Sequence, residues 1–170
     1  MFGGDLKMRF AQIRRFDVAN GPGIRTSIFV TGCNLNCPGC FNKIYSDFNY
    51  GKLWTKFYEN QLIEFLNHPH VSGLSVLGGE PLAQDEQLDE LLSRVKIEIK
   101  KPVWLWTGFV FEQLNLKQLQ TLKFVDVLID GPFIISKKDL NLKFRGSSNQ
   151  RIIDLNLTRK LNKITFADYF

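Results

Sequence analysis

Four short apolar runs in this chain each break into a polar, glycine-bearing turn. SIFVT enters Gly32-Cys33, LSVL enters Gly78-Gly79-Glu80-Pro81, VWLW enters Thr107-Gly108, and VDVLI enters Asp130-Gly131-Pro132. Short apolar runs bounded by breakers read as strands, and SIFVT is apolar enough to be buried on both faces. Segments of helical spacing lie between them. Trp54, Phe57, Tyr58, Leu62, Phe65 and Leu66 precede Asn67 and Pro69, while Leu88, Leu91, Leu92, Val95 and Ile99 form a stripe that Pro102 ends. A broken helix is expected over Phe111–Leu122, and further strands over Phe10–Phe16 and Ile152–Leu155. Such alternation predicts an α/β fold with a mostly parallel sheet. Ligands collect at the C-terminal ends of parallel strands, so the four turns are expected to share one rim.

Length bounds the architecture. A closed eight-unit barrel takes about 250 residues, and this chain has 170, enough for part of one. One domain is expected over residues 1–170, with residues 1–8 a candidate for lying outside the fold, because Met8 offers an alternative start.

The cysteine arithmetic is more specific. Cys33, Cys37 and Cys40 are the only three cysteines, all within GCNLNCPGC. An odd, clustered set cannot pair off as disulfides. A closed zinc site needs a fourth ligand, for which His68 and His70 are the available histidines. Thiolates also hold iron–sulfur clusters, and three of them leave one iron of a four-iron cluster open to a bound molecule. Close thiols and the lack of an apolar leader in MFGGDLKMRF suggest the cytoplasm. No apolar run approaches the roughly 20 residues of a membrane span. The net charge of +5 is spread along the chain, with only short runs such as Lys100-Lys101 and Lys137-Lys138, so no nucleic-acid role is assigned.

The order of these motifs resembles the radical S-adenosylmethionine (SAM) enzymes. NGPGIRTSIFVTGCNLNCPGCFN is similar to the glycyl-radical-enzyme activating proteins, and DVLIDGPFI with FRGSSNQRIID is similar to those that act on anaerobic ribonucleoside-triphosphate reductase. The resemblance covers roughly residues 10–155. It implies a partial β/α barrel of the radical SAM type, and a [4Fe-4S] cluster on Cys33, Cys37 and Cys40. It further implies SAM against Gly39, Cys40, Phe41, Gly78, Gly79 and Glu80, with Glu80 accepting a hydrogen bond from the methionine ammonium. Thr107 and Asp130 stand at strand ends suited either to SAM ribose and supporting contacts or to simple capping. The implied product is a 5′-deoxyadenosyl radical that takes a hydrogen atom from a glycine of the reductase, with flavodoxin the electron source the family suggests. Two positions depart from the family pattern: Gly39 stands where an aromatic residue often precedes the third cysteine, and Asn20 where Asp often opens Asp-Gly-Pro-Gly.

Competing readings are an activator of another glycyl radical enzyme such as pyruvate formate-lyase, a small-molecule radical SAM enzyme, and a metal-binding or electron-transfer module without catalysis. Arg25 is either a surface cation or a partner contact. FRGSSNQR reads locally as loop, with a substrate or partner role implied only by resemblance. Trp54, Phe57 and Phe65 are expected in the core.

Overall fold

The computed structural model describes residues 7–84 and 86–167. Its framework is a seven-stranded sheet. In chain order the strands are β1 (Arg9–Asp17), β2 (Ile24–Val30), β3 (Lys52–Leu53), β4 (Val71–Gly78), β5 (Val103–Trp106), β6 (Val127–Asp130) and β7 (Arg151–Asp154). The helices are α1 (Lys56–Leu66), α2 (Glu86–Arg94), α3 (Leu116–Thr121) and α4 (Leu155–Leu161).

Across the sheet the order is β3-β1-β2-β4-β5-β6-β7. The four central strands β2, β4, β5 and β6 run parallel, and β1 and β7 pair antiparallel on the flanks. This is a mixed α/β fold around a parallel centre. The order begins at β3 and ends at β7, so the sheet is open and does not close into a barrel.

Side-chain alternation gives the sheet two different faces. Ile28, Val30, Leu74, Val76, Val103, Leu105 and Leu128 pack with Leu62, Leu66, Leu88, Leu91 and Leu92 of α1 and α2 into one aliphatic core. The opposite face carries Trp104, Val127, Ile129 and Ile152, with Trp106 and Phe144 against them.

The expected elements are present with shifted ends. Asn67 caps α1, as its position before Pro69 suggested. The stripe Leu88–Ile99 is α2 followed by a wider π-turn over Val95–Ile99, which ends at left-handed Lys100 (φ 56°), two residues before Pro102. Over Phe111–Leu122 the helix is broken, with α3 starting at an Asn115–Gln118 capping box.

Three expectations change. Phe57 is 68% exposed, because it sits on the outer side of α1, whereas Trp54 is buried. Arg25 is neither a surface cation nor a partner contact: it is 1% exposed. Its guanidinium donates to Ser75 Oγ at 2.7 Å and to the Leu74 and Pro102 carbonyls at 2.6 and 3.1 Å. Met8 is core at 1% exposure, and its carbonyl accepts from the Trp54 N–H; residues 1–6 lie outside the described residues.

Candidate functional site

β2 delivers the chain to the cysteines. After Val30 the backbone turns at Gly32 (φ +99°), and the segment that follows is closed at its neck by Gly32 N–H to the Tyr45 carbonyl (2.8 Å) and Cys33 N–H to the Ser46 carbonyl (3.0 Å). Inside that loop the Cys40 N–H donates to the Cys37 carbonyl (3.2 Å), which curls the second and third cysteines together. All three thiols are free, partly buried, and line one cavity of about 370 Å³.

The turns after β4 and β5 form the cavity's next wall. Gly79 N–H donates to the Val30 carbonyl and Glu80 N–H to the Gly32 carbonyl, both at 2.8 Å, so the turn is laced to the base of the cysteine loop. This packing explains both glycines. A Cβ on Gly78 (φ +123°) would collide with the Val30 carbonyl oxygen, and one on Gly79 would lie 2.6 Å from the Gly32 oxygen and 2.7 Å from the Tyr45 oxygen. The main chain thus already demands glycine at both positions, before any ligand is considered.

Glu80 is 1% exposed. Its carboxylate accepts from the Leu82 N–H (2.9 Å), the Thr107 hydroxyl (2.7 Å) and the Gly108 N–H (2.8 Å), which ties the β4 turn to the end of β5. Burial pushes its carboxyl up to about 7, and those three hydrogen bonds only partly oppose the shift. An ionised carboxylate offers about four acceptor sites. Three are taken, and Glu80 still lines the cavity. Cys33 is also pushed above its ordinary value, first by burial and then by the charges of Glu80 and the other two cysteines.

The residues expected at the site divide. Cys33, Cys37, Cys40, Phe41, Gly78, Gly79, Glu80 and Thr107 all line the cavity. Gly39 is outside the lining. It is left-handed (φ +72°), and a Cβ there would lie 2.5 Å from Ile135 Cδ1, so a neighbouring loop occupies the space an aromatic side chain would take. Asp130 is set apart from them. It is fully buried, but its oxygens accept from the Arg151 guanidinium and the Phe111 N–H, and it is not a lining residue. Arg151 also makes a two-pronged contact with Glu112. Neither histidine approaches the thiols: His68 packs on Phe16 beside the start of β4, at the opposite end of the sheet.

The far wall is made by Trp106, Phe133, Phe144 and Arg145; the sequence pointed to the segments DGPF and FRGSSNQR by resemblance alone and to none of these four as lining residues. Strand alternation carried the signal for Trp106, which shares a face with Trp104 and donates its indole N–H to the Phe144 carbonyl (2.8 Å). FRGSSNQR folds back onto the DGPF turn. Gln150 donates to the Gly131 carbonyl (3.1 Å), Asn149 to the Pro132 carbonyl (2.8 Å), and Ser147 Oγ accepts from the Ile134 N–H (3.2 Å). Arg145 donates to the Gln150 carbonyl (3.0 Å), and its buried Nε has no hydrogen-bond partner among the described residues. One wall of the cavity therefore presents three soft thiols, another a buried carboxylate, and the third aromatic rings with a guanidinium. That set suits a metal cluster next to a small zwitterion carrying a planar ring.

Three free thiols on one cavity wall are the donor set of an iron–sulfur protein. Residues 19–153 match the family described as a 4Fe-4S single cluster domain. The chain is 40% identical to the anaerobic ribonucleoside-triphosphate reductase-activating protein of Escherichia coli strain K12 over 148 residues, covering 84% of this chain and 96% of that protein. The proteins of the same name from Enterobacteria phage T4 and Vibrio cholerae are 41% and 39% identical, each over 150 residues and 85% of this chain, covering 93% and 97% of their own lengths. The chain belongs to the anaerobic ribonucleoside-triphosphate reductase-activating protein family.

Proposed function

We propose that this protein is a radical SAM activase that installs a glycyl radical on anaerobic ribonucleoside-triphosphate reductase. The observation that carries the reading is the single cavity joining three thiols from one loop to Gly78, Gly79, Glu80 and Thr107. Cys33, Cys37 and Cys40 hold a [4Fe-4S] cluster, and the open strand array is the partial barrel of the radical SAM type, formed as one domain. When bound, the cluster would supply one-electron reduction of SAM, the chemistry needed to take a hydrogen atom from a glycine of the reductase.

The protein's own residues bind and orient. Glu80 turns its remaining acceptor site to the methionine ammonium, and that cation favours the ionised carboxylate against its burial. Arg145 is placed to meet a carboxylate, a charge-assisted contact. Trp106 and Phe144 exclude water from the open face. Asp130 acts at one remove: with Arg151 it fixes Phe111, whose segment begins at the Thr107-Gly108 turn that holds Glu80. Among the described residues no helix is long and apolar enough to cross a membrane. The setting is the reducing cytoplasm, with a flavodoxin-type donor.

The test is an electron paramagnetic resonance spectrum of anoxically reconstituted, reduced protein with and without SAM, followed by incubation with the reductase. The expected result is a cluster signal that changes on adding SAM, then a glycyl radical on the partner. A cluster signal indifferent to SAM would reassign the protein to electron transfer.

A further inference from the structure

The loop from Gly131 to Gln150 arches over the cysteine loop. Phe133 packs on Phe41 with ring centroids 4.9 Å apart, Lys138 lies 5.0 Å above the Phe41 ring, and Ile135 fills the space beside Gly39. The outer side of this junction is apolar yet open to solvent: Phe41 is 59% exposed, Ile135 57% and Leu140 82%. Charge on the arch is one-sided. Residues 131–150 hold Lys137, Lys138, Lys143 and Arg145 against a single acid, Asp139, whose Oδ1 accepts from both N–H groups of Asn141.

We propose that this rim is the docking surface for the protein substrate, and that the segment it receives carries carboxylates beside an apolar side chain. The inference rests on the activase reading above. Three observations lead to it. A cavity of about 370 Å³ takes a small molecule and not a folded domain. A glycine on another protein therefore reaches the thiol end of the cavity only on an extended segment, for which the exposed Phe41, itself a lining residue beside the thiols, is an edge to cross. Exposed apolar side chains ringed by same-sign charge are the composition of a protein interface: apolar anchors within, steering charges at the edge. The surface is also held in shape by the Phe41–Phe133 and Lys138–Phe41 contacts, so little ordering is left to occur on binding.

The experiment measures binding of the anaerobic reductase to reconstituted holoprotein by titration calorimetry, for the parent, Lys138→Glu and Leu140→Asp. Iron content and circular dichroism establish that each variant keeps its cluster and fold. Both variants are expected to bind at least about tenfold more weakly. Raising the salt concentration is expected to weaken the parent more than Lys138→Gln, because one steering charge is gone. Unchanged affinity in both cluster-replete variants would overturn the proposal. So would unchanged affinity accompanied by slower cluster reduction by the donor protein, which would assign the rim to the donor. A parent that does not bind the reductase at all would overturn the activase reading, and this inference with it.

Discussion

The ends of β4 and β6 each bury a carboxylate at the same rim of the sheet, and they use it in opposite ways. Among the described residues Glu80 is met by neutral donors alone, an alcohol and two backbone N–H groups, so its charge stays uncompensated beside the cavity. Asp130, equally buried, is met by the guanidinium of Arg151 and turned away from the cavity. A buried acid with a cation partner is committed to holding structure together. One with only dipoles for partners is raised in pKa and ready to answer a ligand's charge. Position at a strand end does not separate the two; the company of each carboxylate does.

The largest expected effect sharpens this division from the cofactor side. Cys37→Ala should reduce the iron bound after reconstitution to near zero, measured by elemental analysis. Unfolding of the cluster-free variant should match the cluster-free parent, since Cys37 is partly exposed and bonded to the fold only through its backbone. Full iron content in the variant would remove Cys37 from the ligand set.

Next in size is Asp130→Ala. The variant leaves the Phe111 N–H without its acceptor and takes one of Arg151's two carboxylate partners, Glu112 remaining, and should cost about 3–4 kcal/mol in urea unfolding. SAM affinity in the surviving folded fraction should change little. A large loss of SAM affinity with full stability would instead return Asp130 to the cofactor site.

How much of this was legible beforehand follows from what each residue touches. The thiols and the Gly78-Gly79-Glu80 turn stood out because cluster chemistry and tight main-chain packing require particular residue types. The partner of Asp130 was not legible, because Arg151 lies 21 positions away and the β6–β7 pairing brings them together. The strand read as SIFVT begins earlier in the fold, at Ile24, for a similar reason: Arg25 and Thr26 look solvated in sequence, yet the guanidinium finds Ser75 and two carbonyls from β4 and the turn before β5. β3 has two residues, both exposed, and α4 buries only Leu155 and Thr158, so neither makes a periodic signal. Strand alternation puts Trp106 on the face of Trp104, but an all-apolar VWLW does not say which face meets the cavity.

The uncompensated state of Glu80 should also appear in the pH dependence of the cluster-free protein. Its carboxyl moves from an ordinary 4.5 up to about 7 on folding. Between those values the folded state holds a proton that the unfolded state has released, so stability falls as pH rises. The contribution is present in full below pH 4.5 and lost by about pH 7, a swing of about 3 kcal/mol. Glu80→Gln should flatten this part of the profile in thermal or urea unfolding. An unchanged slope in the variant would mean that another group carries the effect.

The smallest change tests the hydrogen bonds that moderate Glu80. Thr107→Val keeps the side chain's shape and removes the hydroxyl that donates to the carboxylate at 2.7 Å. At pH 8, where Glu80 is mostly ionised, the loss should cost about 1–2 kcal/mol. At pH 4 the carboxyl is protonated, and the cost should shrink, because the lost bond had favoured the charged form. The fall in stability should therefore extend to higher pH than in the parent. The same substitution at the cavity edge should weaken SAM binding less than Glu80→Gln does, since the carboxylate proposed to meet the ammonium remains. If Thr107→Val instead shifts the profile to lower pH, the hydroxyl does not donate to Glu80, and the distinction drawn between the two buried acids loses its basis at β4.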